Sequence, residues 1–527
     1  MGSNLTCRIA ADLFTALPAG QSFPLITWTG SGPTNASAFT NLVLASLVTG
    51  NLSVSSNTLY LNITTNNWGP LSWNTGNGNW DTTTANWLNA SLSPATYNNT
   101  AGDAVLFGDA PGATGNPTVT LATLLSPTGV TLNSTNHDYT LSGSGGIGGV
   151  NGLKLAVDNL RTLTLTATTN NTYSGGSTIS GGKLRLGAAN VIPDGAGKGT
   201  VTVNTNGTLD LNGFSDTINN LLGSGVVDNG GGGSATLTIG GDNSTTTFFG
   251  VLKNTSGTLN LVKNGTGQLA FSGANTLTGQ ITTNGGTLSF DSPLALATVT
   301  NITLAGGTIL NPSANNSIIN GAITLGASNT TSVIYGVRPF TGVGNPYYLT
   351  LNGPIQGAGN ATFSSANQNG TAPTIILNAP STYTGSTLIT CDTNASNGLN
   401  CYVQLGTNNG LPQTTVLSFD GVDNSANRYV QLELNGFNQT LAGLTNVARG
   451  RQQVVGNIGG PATLTLNTAR NFTFTGKLGI PGDDNFGLTK NGAGRQVLGG
   501  TNTYTGPTTI NNGMLEISTS GQLGDSG

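Results

Sequence analysis

The chain has 527 residues, of which 80 are Gly, 36% are hydrophobic and only 7% are charged, with a net charge of −4. Length and apolar content suffice for a long core, while the scarcity of charge rules out the usual helical protein with a charged exterior. The absence of a Lys/Arg cluster argues against a surface that tracks phosphates, and no apolar run reaches the ~20 residues of a membrane helix.

No basic head and apolar stretch of a secretory leader opens the N-terminus, so a removed leader or an origin in a longer protein is expected. Residues 1–67 are β-rich and irregular, and Asn51 to Thr64 alternates as a strand pair. All five Trp lie at or before residue 87. Four of them, Trp68, Trp73, Trp80 and Trp87, mark a module over 68–112. Two readings suit it. Indole faces with Asp81 suit a sugar-stacking platform, in which Trp73, Trp80, Trp87 and Asp81 would bind carbohydrate. Alternatively, the aromatic residues cap the open end of a repeat stack.

From about residue 113, alternating strands are separated by Gly and Asn turns, and an ungapped pattern of sixteen residues then appears three times. It reads NTYSGGSTISGGKLRL from Asn171, NTLTGQITTNGGTLSF from Asn275 and NTYTGPTTINNGMLEI from Asn502. A shorter version starts at Ser381. Asn171, Tyr173, Gly175, Asn275, Gly279, Asn502, Tyr504 and Gly506 define it. Each copy is a turn, a short strand, a second turn and a second strand, with Gly where the backbone bends. Polar Thr509 and Glu516 alternate with Ile510, Leu515 and Ile517, as in a strand buried on one face. One such coil buries nothing alone, so a chain that reissues it is expected to stack as a parallel β-solenoid.

A longer period is superimposed on the first. Motifs starting at 171, 209, 236, 261 and 275 return in the same order at 381, 432, 463, 488 and 502, with offsets of 210, 223 and then 227 residues. The expected organisation is therefore a first block over 113–290, bridging coils over 291–380 and a second block over 381–527.

Catalytic residues are sparse. The only two Glu are Glu433, in the duplicated LxLNGF motif where the first copy has Asp210, and Glu516, where other copies have Arg185 and Ser289. Both read as ordinary outward strand positions. Asp483 and Asp484 form an acidic pair and Asp423 lies near Arg428, but Asp, Asn and Gly favour turns for backbone reasons alone. His137 is the single His, which excludes a multi-His zinc site, and an Asn/His/Asp turn explains it. No catalytic residue, metal site or cofactor is expected. Cys391 and Cys401 flank an inserted loop and suit a disulfide, with two reduced buried thiols as the alternative; Cys7 has no evident partner. Asn-x-Ser/Thr triplets at Asn4, Asn35, Asn62 and Asn133 are what composition alone would produce. Outward Thr rows, as from Thr162 to Thr169, also suit a flat face for ice or crystals.

The run LTKNGAGRQVLGGTNTYTGPTTINNGMLEI, from Leu488 to Ile517, resembles the autotransporter-associated β-strand repeat of bacterial passenger proteins. Lys490, Gly492, Gly494, Asn502, Tyr504, Gly506, Thr509, Gly513 and Leu515 carry the likeness. Lys263, Gly265, Gly267, Asn275, Gly279 and Gly286 repeat it, with Leu277 in place of Tyr. The resemblance covers roughly 68–527. It implies an all-β, right-handed parallel β-helix with a Trp-rich N-terminal cap, exported to the cell surface as a stalk, adhesin or matrix component. The expected partners are extracellular polysaccharides or other surface proteins, with lateral or end-to-end self-association, and neither nucleic acid nor membrane insertion. The C-terminal membrane barrel of autotransporters is not seen here, so an anchor of another kind, or one carried elsewhere, is expected. The rival class is a polysaccharide-binding or polysaccharide-cleaving β-helix.

Overall fold

A computed structural model describes residues 6–8, 22–38, 41–43, 48–66, 69–149, 155–158, 160–166, 171–312, 316–337, 347–366, 373–391, 401–421, 429–447, 452–518 and 522–524. Among these residues there is no α-helix, only a single 3-10 turn at Ala36–Ala38. About half of the chain is strand, and parallel coils account for about 14 turns. The chain divides into one unit of Met1–Thr238 with Thr255–Gly257, and a second of Ile239–Asn254 with Thr258–Gly527.

The first unit starts with an antiparallel sheet in which Thr58–Asn66 lies between Ser22–Thr27 and Val48–Ser55. The strand pair expected between Asn51 and Thr64 is present. Its two-residue turn places Ser56 and Asn57 at φ 45° and 59°, the left-handed turn that matches the twist of a hairpin.

Beyond this sheet the pairing becomes parallel, because each coil brings its strands back above those of the coil before. Leu71–Trp73 pairs with Val105–Phe107, and that strand in turn pairs with Val130–Asn133. On a second face, Gly78–Trp80 pairs with Thr118–Leu121, which pairs with Tyr139–Ser142. Register puts like over like. Tyr139, Leu163, Leu184, Leu209 and Val227 stand in one buried column, and each aliphatic member contributes roughly 1.5–3 kcal/mol by leaving water.

The second unit repeats the construction. Leu261, Ile281, Ile302, Ile323 and Ile355 form one column, and Phe248, Phe271 and Phe290 form another. A third column comprises Leu288, Leu310, Ile334, Phe363, Ile389 and Phe419. A one-residue slip would turn a whole column outward, so the alternation of the sequence fixes register coil by coil. Coil spacing also explains the motif glycines. An added Cβ at Gly279 would lie 1.9 Å from the Leu259 carbonyl oxygen, and Gly286 also holds φ +65°.

Candidate functional site

The motif residues meet between coils, not in a cleft. Asn275 is 3% exposed and bridges three coils at once. Its Oδ1 accepts from the Leu252 N–H at 2.9 Å in the coil before, and its Nδ2 donates to the Ala295 carbonyl at 2.8 Å in the coil after. Asn171 does the same between the Ile147 N–H at 2.8 Å and the Val191 carbonyl at 2.7 Å. Asn502 does so between the Leu478 N–H at 2.8 Å and the Gln522 carbonyl at 2.6 Å. A side-chain amide carries an NH2 donor and a carbonyl acceptor that point apart, which suits Asn171, Asn275 and Asn502 to this bridge; the shorter copy has Ser381 in its place.

The other signature residues work alongside. Tyr173, Tyr383 and Tyr504 are buried, and their hydroxyls pair with those of Ser177, Thr387 and Thr508 at 2.8, 2.5 and 2.6 Å. Burial pushes Tyr173 and Tyr383 above the usual phenol range, so both stay neutral. Lys263 is 2% exposed and caps three carbonyls, those of Asn264 at 3.2 Å, Gly265 at 3.1 Å and Gly285 at 2.8 Å. Lys490 repeats this with Asn491 at 2.6 Å, Gly492 at 2.8 Å and Asn512 at 3.3 Å. Burial holds both ammonium groups below their ordinary pKa.

The Trp group is turned inward. Trp73, Trp80 and Trp87 are at most 1% exposed. They pack edge to face, with Trp73 and Trp87 centroids 4.9 Å apart at 84° and Trp80 5.4 Å from Tyr97 at 89°. None of these three indoles has a face open to a pyranose ring, which argues against the sugar-stacking expectation for them. Asp81 is engaged within its own turn. Its carboxylate closes a local turn, accepting from the Thr83 N–H at 2.9 Å and the Thr84 N–H at 2.6 Å. Trp68 lies outside the described residues.

Of the acidic positions, Glu433 departs from its outward reading, being only 4% exposed. Asp483 is near enough for its charge to act on it. Glu433 Oε1 accepts from the N–H groups of Asn435 at 3.0 Å and Ile458 at 2.8 Å, and Oε2 accepts from Gln431 Nε2 at 2.9 Å. Gln431 also reaches Asp483 at 3.5 Å. An added Cβ at Gly456, the register partner of Glu433, would meet Gln431 Nε2 at 2.5 Å, so the carboxylate is sealed in. Burial, and then repulsion from Asp483, raises the Glu433 pKa against those donors. Burial, with a contribution from Asp484, raises that of Asp483.

The first-block counterpart, Asp210, binds the matching backbone N–H groups, Asn212 at 3.0 Å and Gly230 at 2.9 Å. Asp210 also meets two cations, Lys183 at 3.3 Å and Arg185 at 3.5 Å. Sequence reasoning missed this shared role, although the duplicated LxLNGF motif signalled it. Glu516 is a surface position, paired with Arg495 at 2.8 Å.

Asp423, Arg428 and Asn4 lie outside the described residues, as does the loop 392–400. Cys391 and Cys401, on either side of that loop, are both buried. His137 Nδ1 lies 2.5 Å from the Gly115 carbonyl oxygen in a turn. Among the described residues no group of three His, Cys, Asp or Glu is placed to hold a metal.

Comparison with known proteins agrees with this geometry. The passenger-associated-transport-repeat family model matches residues 161–186, 261–290 and 488–517. In these three spans the chain is similar to the passenger-associated-transport repeat. These spans contain the Asn171, Asn275 and Asn502 bridges and both buried lysines. An adhesin autotransporter, BmaC, of Brucella suis biovar 1 (strain 1330) is 27% identical over 464 residues, covering 75% of this chain. The chain spans only 12% of that relative's length. No solved structure matches the chain significantly.

Proposed function

We propose that this chain is a non-catalytic extracellular β-helix that serves as a stalk, adhesin or matrix component at a bacterial surface. The observation that carries the reading is that the repeat-defining Asn, Lys and Tyr side chains are buried or half-buried and bonded mainly between and within coils, so the motif builds length and not a reaction centre. Passenger-type repeats and an autotransporter adhesin as a relative support a location outside the cell or on its surface. Extracellular polysaccharides or other surface proteins are the proposed partners.

Two structural roles belong to the same reading. The Trp-rich segment closes one end of the parallel stack. Trp87–Leu88 pairs antiparallel with Leu71–Trp73, and Pro94–Ala95 antiparallel with Trp87–Leu88, which ends the parallel pairing there. Cys391 and Cys401, buried on either side of the inserted loop, would close it as a disulfide in the oxidising exterior.

The function is tested by displaying the chain on a non-adherent bacterium and counting cells retained on immobilised polysaccharides and on host-cell layers. Retention above that of a strain displaying an unrelated β-helix assigns the adhesive role. Equal retention assigns the stalk or matrix role. Soluble fragments released from a polysaccharide would overturn the non-catalytic reading.

A further inference from the structure

The three full copies of the sixteen-residue motif differ at their second turn. Gly181 and Gly285 stand at the same place in two of them, and the third has Asn512 there, followed by Gly513. This turn is pinned to the coil before it at both ends. The Asn511 N–H donates to the Lys490 carbonyl at 2.9 Å, the Asn511 side chain donates to Asn491 at 2.9 Å, and the Met514 N–H donates to the Gly494 carbonyl at 3.4 Å. Between these anchors Gly513 holds φ +74°, a conformation open to Gly. Its N–H donates to the side-chain oxygen of Asn512 at 2.8 Å. The Asn512 amide is therefore folded back over the peptide nitrogen that follows it. Both residues are exposed, so water reaches them.

Other Asn-Gly pairs commit the Asn side chain elsewhere. Asn284 donates to Asn264 at 2.9 Å and Asn352 to Asn320 at 2.7 Å, each from one coil to another. Asn206 is the plainest contrast. It precedes Gly207 inside the strand Thr200–Asp210, in register with Gly181 and Gly182, and an extended backbone turns successive groups to opposite faces. The Asn512 turn also has a cation beside it. Lys490 is buried, and its three partners are the carbonyls of Asn491, Gly492 and Asn512, with no carboxylate among them. Its Nζ lies against Gly513 as well, where an added Cβ would be 2.9 Å away. A cation in this place favours the negative charge that develops as the Gly513 nitrogen loses its proton, and that on the Asn512 carbonyl oxygen when water adds there.

We propose that Asn512–Gly513 is a self-modifying turn, which loses ammonia to form a cyclic imide and opens to an isoaspartate whose freed carboxylate pairs with the buried Lys490. The Gly513 nitrogen gives its proton to water and bonds to Asn512 Cγ. The Cγ–Nδ2 bond breaks, and the side-chain nitrogen leaves as ammonia after taking up a proton. Water then adds to one carbonyl of the imide and breaks that carbonyl's bond to the Gly513 nitrogen, which is reprotonated. Nothing is oxidised or reduced. Opening at Cγ leaves an aspartate, and opening at the main-chain carbonyl leaves an isoaspartate with the main-chain carboxylate free. Lys490 already donates to that main-chain oxygen at 3.3 Å, so it favours the second opening and exchanges a neutral partner for a charged one. Lys263 keeps the Gly285 carbonyl in the same role, and a Gly at this place cannot react. The change is one-way and marks the age of the chain at this copy of the motif.

The test holds the purified full chain in mildly alkaline buffer, folded and in parallel unfolded in concentrated urea. Samples taken over time are digested with pepsin in acid and mapped by mass spectrometry for conversion of amide to acid, with electron-transfer fragmentation to separate isoaspartate from aspartate. In the folded chain Asn512 should convert about tenfold faster than Asn206, because only Asn512 is held against the reacting nitrogen. It should also convert faster than it does in urea, and give a larger share of isoaspartate. Lys490→Gln should bring that share down to the urea value, and Asn512→Gln should abolish conversion at the turn. Conversion at Asn512 that is slower folded than in urea, or no faster than at Asn206, would overturn the proposal. An isoaspartate share equal in the two conditions would overturn the role given to Lys490. Should the variants fail to fold, the comparison of folded with unfolded parent decides alone.

Discussion

Replacing Asn275 by Ala removes a bond on either side of one coil, leaving the Leu252 N–H and the Ala295 carbonyl without their partners in a place that is 3% exposed. An orphaned buried polar group costs about 1–3 kcal/mol, so the two together cost about 2–6 kcal/mol. Asn284 is the control. Its Nδ2 reaches Asn264 Oδ1 at 2.9 Å on the exposed surface, and Asn284→Ala should stay within roughly 0.5 kcal/mol of the parent. Asn275→Asp sharpens the comparison, since the aspartate keeps the acceptor for Leu252 but has no donor for Ala295 and buries a charge. It should be at least as costly as Ala at pH 7 and recover in acid. Urea unfolding followed by circular dichroism gives the midpoints, and hydrogen exchange of peptides containing Leu252 locates the loss. Cooperativity fails readily in long repeat arrays, which makes the local readout necessary. If Asn275→Ala lowers the midpoint no more than Asn284→Ala, and exchange at Leu252 is unchanged, the bridging role is refuted.

Three further outcomes follow from the same geometry. Lys263→Met strips the donor from the carbonyls of Asn264, Gly265 and Gly285 and should cost about 1–3 kcal/mol by urea midpoint, despite the gain in apolar character. Glu433→Gln and Asp210→Asn should shift stability in opposite directions at neutral pH. Burial and Asp483 raise the Glu433 pKa, so its contribution is full in acid and lost as pH rises; the Gln variant should match the parent near pH 4 and exceed it near pH 8. Asp210 instead sits between Lys183 and Arg185, and its Asn variant should be the weaker protein at pH 7, as paired urea titrations will show. The proposed Cys391–Cys401 disulfide should yield one intact chain without accessible thiols at these positions by alkylation and mass spectrometry, and reduction should lower stability by about 2–3 kcal/mol. Alkylation of both thiols in the unreduced, unfolded chain would refute it.

Most of the fold was legible because a solenoid restates one constraint. Coils bend at Gly and alternate along their strands, and three copies of the motif present an Asn to the coils on either side, so NTYSG, NTLTG and NTYTG expose in one dimension what the stack does in three. The fate of Glu433 was not legible. Alternation places it outward, whereas the fold sets it beside side-chain-free Gly456 and bonds it to Gln431, which in turn reaches Asp483 about fifty residues later in the chain. The Trp segment shows the same limit in another form. Aromatic density announces a special module, yet only the positions of Phe107, Tyr97 and Tyr139 show that the rings face each other and not a sugar.

The most direct measurement of the central claim is to incubate the purified chain with a panel of extracellular polysaccharides and score both retention on the polymer and release of soluble fragments. The expected result is no fragment release from any polymer, with retention present or absent according to the adhesive or stalk role. Fragment release that copurifies with the chain, and that is abolished by neutralising Glu433 and Asp483, would contradict it.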